Sequence, residues 1–195
     1  MEFYDTIKNR RTIRELKNTP VADDAMERII SAGMQAPTHN HQREWEFIIL
    51  RDEQEKDNAL QFAKAYAEGY LNGKPAPETA SPQQKMYAYA MPKQYTMLAQ
   101  SGCVILPFCK GSGSMNLAAM WCCIENIFLA AAAEGLACSM RIPVGNEGAN
   151  VARAVGAPAG YTMPCYIGIG YPEENTAVLE QVERNAREAM HFGKW

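Results

Sequence analysis

Apolar residues recur at helical spacing near the start of the chain. Phe3 and Ile7 stand four residues apart. A longer periodic series follows at Met26, Ile29, Ile30, Gly33 and Met34. Residues three or four apart share one face of an α-helix, so both stretches predict amphipathic helices. For the second helix we expect Asp23 or Asp24 as the N-cap and Pro37 as the end, because short acceptor side chains cap helices and proline does not continue them.

Short apolar runs predict the strands, and mixed runs predict further helices. The strands are expected at 45–50, 103–108, 137–142 and 162–171. Pro107 lacks the N–H that a ladder needs, so we expect the end of the second run near a sheet edge or a bulge. Helices are expected at 53–68, 83–100, 115–135 and 178–189, with an exposed excursion at 69–82 and a turn leading into a helix at 145–156.

The helix predicted at 115–135 is the most apolar segment of the chain. Glu125 and Asn126 interrupt it, and the uncharged part before them is about half of the roughly 20 residues that a membrane span needs. We therefore expect a buried central helix and no membrane span. A helix that is apolar nearly all round must be covered on every side, by its own domain or by a partner chain.

Composition and charge narrow the function classes. The 195 residues, of which 47% are hydrophobic and 21% charged, suit a single domain over 1–195. A net charge of -3 differs from the basic balance of a dedicated nucleic-acid binder. We find no segment with the charged start, apolar middle and small-residue cleavage site of a signal peptide, so we expect a cytoplasmic protein.

The cysteines and histidines do not have the spacing of a metal site. The six cysteines are Cys103, Cys109, Cys122, Cys123, Cys138 and Cys165, and the three histidines are His39, His41 and His191. No Cys-x-x-Cys pair occurs, and adjacent Cys122 and Cys123 would point about 100° apart on a helix. We expect reduced thiols that behave as small buried hydrophobes, and no metal.

Candidate chemistry begins with three arginines in five residues, Arg10-Arg11-Thr12-Ile13-Arg14. Guanidinium groups packed this densely repel one another, but each can bond two anionic oxygens at once, and Thr12 adds a hydroxyl. In a mildly acidic protein the cluster predicts a local site for one small anion, such as a phosphate. On spacing alone, a solvated basic patch is the alternative.

Three further segments accompany this arginine cluster: residues 36–45, residues 135–138 with the following 141–145, and Lys194-Trp195. In their order and spacing, the four segments resemble the nitroreductase family of FMN-dependent oxidoreductases, over nearly the whole chain. The resemblance implies an α+β, nitroreductase-like fold with a central, mostly antiparallel sheet surrounded by helices. It also implies a two-fold homodimer with two flavin sites at the interface, each built from both chains.

The resemblance assigns the first motif to the FMN phosphate and ribityl chain. Arg10, Thr12 and Arg14 match the family's ligands there, and Arg11 matches a more variable position. Lys194 matches a basic residue that the family brings to the phosphate from the C-terminal end. Several cations around one phosphate are reasonable because it offers three acceptor oxygens. A cation near flavin N1, here Arg14, would stabilise the negative charge that develops on reduction.

The second motif departs from the family pattern. Relatives often read Pro-Ser-Gly-Gly-Asn-x-Gln-Pro-Trp at the place of residues 37–45. Without gaps, the asparagine and glutamine positions fall on His41 and Arg43, whereas a one-residue slip matches Asn40 and Gln42, and both alignments stay open. The resemblance implies that this loop packs on the flavin bound mainly by the partner subunit. The expected site residues are Pro37, Thr38, His39, Asn40 and Gln42.

The third segment resembles the stretch whose backbone donates to the flavin near N5. Pro143 has no N–H, so Val144 or Gly145 is expected to donate. The implied activity is electron transfer from NAD(P)H through FMN to a small acceptor, such as a nitroaromatic or a quinone, in a ping-pong cycle that requires no catalytic side chain. The alternatives are a flavin-fragmenting or dehalogenating relative, a flavin sensor or carrier without turnover, and an α/β domain whose arginines bind another phosphate.

Overall fold

Most predicted elements are present in the structure. A computed structural model describes residues 2–70, 74–176 and 184–195, which form six α-helices and five β-strands. The helices are α1 (Phe3–Asn9), α2 (Asp23–Gly33), α3 (Glu53–Gly69), α4 (Pro82–Gln100), α5 (Ser114–Ala133) and α6 (Glu147–Ala154). The strands are β1 (Trp45–Leu50), β2 (Cys103–Lys110), β3 (Ala137–Arg141), β4 (Tyr161–Thr162) and β5 (Tyr166–Gly170).

Two predicted segments differ in extent from those found. The strand expected at 162–171 is divided into β4 and β5. The helix expected at 178–189 begins outside the described residues, and its last part, Ala186–Ala189, is a short 3-10 helix.

The strands form one antiparallel sheet in the order β1-β2-β5-β3, and β4 pairs with the end of β2. The register places Phe47 opposite Pro107, Ile105 opposite Ile167, and Arg141 opposite Tyr166. Helices cover both faces of the sheet. The predicted α+β fold with an antiparallel sheet is therefore confirmed.

The two sheet faces pack against different helices because side chains alternate along each strand. On β5, Ile167 and Ile169 join a core with α2 and α5, and Tyr166 joins a second core with α3, α4 and α6. The first core includes Ile29 and Ile127, and the second includes Leu60, Leu98 and Val151, all of them buried. The sheet thus separates two apolar layers, and the candidate segments lie at its margin.

Both ends of α2 differ from the prediction. Ala22 is the N-cap, so Asp23 and Asp24 lie in the first turn, where carboxylates favour the positive end of the helix dipole. The helix ends at Gly33, before Pro37 is reached. A Cβ on Gly33 would lie 2.7 Å from Cγ1 of Ile127, so the close packing of α2 on α5 requires a glycine there.

Pro107 lies in a strand that is central in the sheet, but at this residue β2 pairs with β1 alone, so the strand is locally an edge, as expected. The Lys110 N–H donates to the Glu44 carbonyl at 3.1 Å, so the nitrogen of Pro107, an odd number of residues away, faces the opposite side of β2. On that side β5 pairs only as far as Ile105, and β4 begins to pair at Cys109. The missing N–H falls in the gap between the two partners, which is why a central strand accepts this proline.

The apolar helix α5 is buried on one side only. It has the length and hydropathy of a membrane-crossing helix. However, Met120, Ile124 and Ile127 are buried in the first core, as expected for the central helix of a folded domain. A stripe at helical spacing on the other side is exposed in the single chain, and it comprises Met115, Ala118, Cys122 and Glu125.

Candidate functional site

The arginine cluster lies along the outer edge of β3. Thr12 forms a parallel bridge with Cys138, and the Ile13 N–H donates to the Cys138 carbonyl at 3.4 Å. Further on, the Lys17 N–H donates to the Tyr171 carbonyl at 2.8 Å. These backbone bonds attach the segment that follows α1 to the margin of the sheet. They leave its side chains to alternate between the core and the outside.

The first two arginines of the cluster have different environments. Arg10 is half-buried, and its Nε lies 3.7 Å from Oε1 of Glu125, which is an ion pair without a hydrogen bond. Nη1 of Arg11 donates to the carbonyls of Lys8 at 2.5 Å and Arg10 at 2.7 Å, so Arg11 closes the C-terminal end of α1. Its Nε is buried and has no partner among the described residues.

Thr12 and Arg14 present free side chains. Both are exposed, and neither side chain has a hydrogen bond or an ion pair within 2–70, 74–176 and 184–195. A guanidinium offers five N–H donors, and a hydroxyl offers a donor and two acceptor positions. The cluster therefore retains several donors that the protein itself does not engage.

A cavity of about 180 Å³ opens beside the cluster. Arg10, Arg11 and Ile13 form one wall, and residues 135–138 with Phe128 form the other. The structure thus brings together two of the four predicted segments, the arginine cluster and residues 135–138 at the start of β3. The cavity's cationic rim suits the phosphate of a ligand such as FMN, and its volume is below the roughly 300 Å³ of a site that encloses a whole ligand of that size.

The loop at 37–42 lies elsewhere on the same chain. Its 3-10 helix, His39–His41, contacts α5, and the loop lines a small groove with Lys110 and Asn116. Along α5, Asn116 is nine residues from Glu125, the residue that meets Arg10, or about 14 Å at 1.5 Å per residue. Within one chain the structure therefore does not bring this loop to the arginine cluster.

The same loop has an unusual backbone. Asn40, His41 and Arg43 all adopt positive φ, at 51°, 55° and 43°. Non-glycine residues rarely adopt this left-handed conformation, which costs about 1–2 kcal/mol per residue and least for asparagine. The side chains of Pro37, His39, Asn40 and Gln42 are exposed, and that of Thr38 is half-buried.

The loop at 142–145 follows β3 and turns tightly into α6. The Glu147 N–H donates to the Val144 carbonyl at 3.1 Å, and Gly145 has φ +56°, which suits the first central position of this turn. The Val144 N–H donates to Oε2 of Glu147 at 3.1 Å. Of the two donors expected from the sequence, Val144 is thus already engaged, and only Gly145 has an N–H without a partner among the described residues.

Lys194 belongs to an exposed tail. Residues 184–195 are all exposed, and Trp195 is 99% exposed and stacks only on His191, at 4.4 Å between ring centroids. Among the described residues, the tail makes no hydrogen bond or ion pair to the rest of the chain. The single chain therefore does not place Lys194 near the arginine cluster.

A buried charged group that the sequence motifs did not predict lies at the end of β3. Arg141 and Glu147 form an ion pair with side chains 0% and 3% exposed, and the hydroxyl of buried Tyr166 donates to Oε1 of Glu147 at 2.5 Å. Burial, and then the hydrogen bond to Glu147, raise the pKa of Tyr166. The only sequence signal was an arginine at the end of an apolar strand, followed six residues later by a glutamate.

Five of the six cysteine side chains are buried, as the apolar runs around them suggested. All six cysteines are free, and only Cys122 is exposed. Burial raises the pKa values of Cys103, Cys123 and Cys165 to about 12, and burial raises that of Cys138 further. A thiol with such a pKa stays protonated and unreactive near neutral pH. No group of metal-ligating side chains occurs in the part of the chain that the structure describes.

Known proteins are similar to this chain in sequence and in fold. An Archaeoglobus fulgidus protein named "Putative NADH dehydrogenase/NAD(P)H nitroreductase" is 22% identical over 201 aligned residues, covering 100% of this chain and 99% of the relative. A BluB-like flavoprotein from Clostridium difficile 630 has a TM-score of 0.81 at 16% identity, over 100% of both chains. Iodotyrosine deiodinase bound to FMN and 3-iodo-L-tyrosine has a TM-score of 0.79 at 18% identity, also over 100% of both chains.

The two solved structures establish the shared fold, and a family model identifies the family. The model of the Nitroreductase family matches residues 7–171, which is most of the chain. That span contains the arginine cluster, both loops and the whole sheet. The chain therefore belongs to the Nitroreductase family, which confirms the enzyme class and the flavin cofactor that the sequence motifs predicted.

Proposed function

We propose that the protein binds FMN beside the arginine cluster and reduces a small acceptor, such as a nitroaromatic or a quinone, with electrons from NAD(P)H. The observation that carries the proposal is the set of unengaged donors on Thr12 and Arg14 next to the loosely paired Arg10. When bound, FMN would supply the redox chemistry of a ping-pong cycle. The protein's own residues bind the cofactor and set its surroundings.

The residues divide by the part of the cofactor that they would hold. Arg10, Thr12 and Arg14 provide charge-assisted hydrogen bonds for the phosphate and ribityl chain. Arg11 shapes the cluster by closing the end of α1, which leaves its neighbours free. The free N–H of Gly145 is the donor for the ring, because the N–H of Val144 is engaged by Glu147.

We propose a homodimer in which each chain completes the site of the other. Three observations support it: the exposed stripe on α5, the distance along α5 between the 37–42 loop and the arginine cluster, and the exposed apolar tail with Phe192 and Trp195. Pairing α5 with its copy would cover the stripe. The loop and Lys194 of one chain would then reach the flavin of the other.

Purified protein tests each part of the proposal separately. Bound FMN is expected to colour the protein yellow, and both NADH and NADPH should be tried as donors for bleaching its visible band. Light scattering should return twice the chain mass, and a holoprotein mass of 21.7 kDa would contradict the dimer. A yellow protein that does not oxidise NAD(P)H in air or with an added acceptor would be a flavin carrier or sensor instead.

A second candidate is reductive dehalogenation of an aromatic halide. It is supported by the fold shared with iodotyrosine deiodinase, at a TM-score of 0.79 over the whole chain. The test is to mix chemically reduced holoprotein with 3-iodo-L-tyrosine and to measure iodide release, with a nitroaromatic acceptor in parallel. Reoxidation by the nitroaromatic without iodide release would leave the nitroreductase activity as the function.

We also propose that the protein works in the cytoplasm. Its six free thiols, of which five are buried, suit a reducing compartment. Fractionation of the source cells, with an antibody to the protein, would test this location.

A further inference from the structure

We infer that Glu147, held by Arg141 and Tyr166, is a positioning residue that fixes the 142–145 loop so that the Gly145 N–H faces the flavin ring. The inference rests on the proposed function, because it assigns a role to residues near the proposed flavin site. It concerns three buried side chains that have no part in the phosphate contacts.

The Glu147 carboxylate is anchored on β3 and β5. Arg141 and Tyr166 are directly opposite each other in the register of β3 and β5. Nη1 of Arg141 and the hydroxyl of Tyr166 both bond Oε1 of Glu147. Two donors from neighbouring strands therefore fix one oxygen of the carboxylate relative to the sheet.

The other oxygen of the Glu147 carboxylate holds the 142–145 loop. Oε2 of Glu147 accepts the Val144 N–H at 3.1 Å, and the Glu147 N–H closes the turn on the Val144 carbonyl at 3.1 Å. The peptide between Pro143 and Val144 is therefore held by a group that the sheet itself orients. The next N–H, that of Gly145, is left without a protein partner among the described residues.

The 142–145 loop lies at the wall of a cavity. Ile142, Pro143 and Gly145 line a cavity of about 320 Å³, together with α6 and residues 161–164. The buried group thus sets one wall of an opening large enough for part of a ring system. Nε and Nη2 of Arg141 have no partner within the described ranges, so Glu147 alone neutralises this buried cation.

The test compares FMN binding and flavin potential in matched variants. Glu147→Gln keeps the size of the side chain but removes its charge, and Tyr166→Phe removes a single donor and is the milder change. Val151→Ala is the control, because Val151 is fully buried in α6 but belongs to the apolar core. Apoprotein is titrated with FMN by fluorescence quenching, and the midpoint potential of each holoprotein is measured by spectroelectrochemistry.

We expect Glu147→Gln to weaken FMN binding at least tenfold and Tyr166→Phe to weaken it by a smaller factor. The midpoint potential of both variants should rise. The Gly145 N–H favours the unprotonated N5 of the oxidised ring, so a variant that displaces this donor loses stabilisation of the oxidised flavin. A tenfold larger loss for oxidised than for reduced FMN corresponds to about 30 mV for a two-electron couple. Val151→Ala should lower unfolding stability but leave the potential unchanged.

The outcomes separate this inference from the proposed function. Wild-type protein that does not bind FMN would overturn the proposed function. Wild-type protein that binds FMN, with unchanged affinity and potential in both Glu147→Gln and Tyr166→Phe, would overturn the positioning role alone. If Glu147→Gln does not fold, Tyr166→Phe decides the matter. A potential shift in Val151→Ala as large as that in Tyr166→Phe would also overturn it.

Discussion

Two arginine sites lie at β3, one in the segment that runs along its outer edge and one at its last residue, and they differ in burial and in pairing. The segment that Thr12 bridges to Cys138 carries Arg10, which is half-buried and lies 3.7 Å from Glu125, and Arg14, whose exposed side chain has no partner among the described residues. At the end of β3, Arg141 is fully buried against Glu147. An exposed guanidinium stays hydrated and keeps its donors for a ligand, whereas a buried one requires its own counter-charge.

This difference shows that an arginine's surroundings decide its use. Arg10 and Arg14 add little to folding, because the long pair of Arg10 with the exposed Glu125 is weak in water and Arg14 has no partner among the described residues. The buried pair is tied to folding, because removing one partner leaves an uncompensated charge in the core. Variants at the two sites should therefore separate cofactor binding from stability.

The largest expected effect is on stability at the buried site. Glu147→Gln leaves the Arg141 charge uncompensated and should lower the free energy of unfolding by about 3–5 kcal/mol in urea denaturation of the apoprotein. Glu134→Gln, which breaks the exposed pair with Arg28, is the control and should change little. Equal urea midpoints for Glu147→Gln and Glu134→Gln would show that the buried pair contributes no more to stability than the exposed pair.

The next effect is on cofactor binding at the exposed site. Arg10→Ala and Arg14→Ala should each weaken FMN binding by about 1.5–3 kcal/mol, one charge-assisted contact, with little change in apoprotein unfolding. Riboflavin lacks the phosphate and should bind the wild type far more weakly than FMN. Calorimetry that gives equal affinities for the two flavins would contradict the phosphate assignment.

A smaller effect is expected for the thiols, including Cys138, which lies beside the exposed arginines. Burial keeps Cys123 and Cys138 protonated, and a flavin needs no thiol to take up a hydride. Replacing Cys122, Cys123 and Cys138 by alanine or serine should leave flavin reduction by NAD(P)H within about tenfold, a barrier change of roughly 1.4 kcal/mol. Stopped-flow bleaching in fully loaded variants measures this, and loss of reduction in Cys138→Ser alone would reveal a thiol step.

The smallest effect concerns the exposed 37–42 loop. His41→Gly removes the strain of a left-handed histidine but adds backbone freedom to the unfolded chain, so unfolding stability should rise by up to about 1 kcal/mol. The control is Gln42→Gly. Because Gln42 has an ordinary φ of -65°, this substitution should lower the unfolding stability slightly. A destabilised His41→Gly variant would show that the histidine side chain makes a stabilising contact.

Much of the fold and half of the candidate site followed from sequence patterns. The helical and apolar periodicities predicted most elements correctly, the four segments together predicted the family, and the Arg10–Arg14 motif predicted the cationic rim. Pro107 was predicted near a sheet edge, but the origin of that local edge could not be predicted, because the gap in strand pairing arises from the lengths of β4 and β5, which lie far away in the chain. Val144 was accepted as a donor because nothing local indicated that Glu147 turns back to bond it.

The sequence by itself determined the local preferences of this protein: which segments form helices or strands, and where donors suited to a phosphate are concentrated. Those properties depend on side-chain spacing and chemistry within a few residues. Only the tertiary structure decided that Arg141 is buried and Arg14 is free, because burial depends on strands and helices that are distant in sequence. Since desolvation, more than residue type, sets what a charge costs and what it can bind, Arg141 in β3 and Arg14 in the segment along its edge acquire opposite roles.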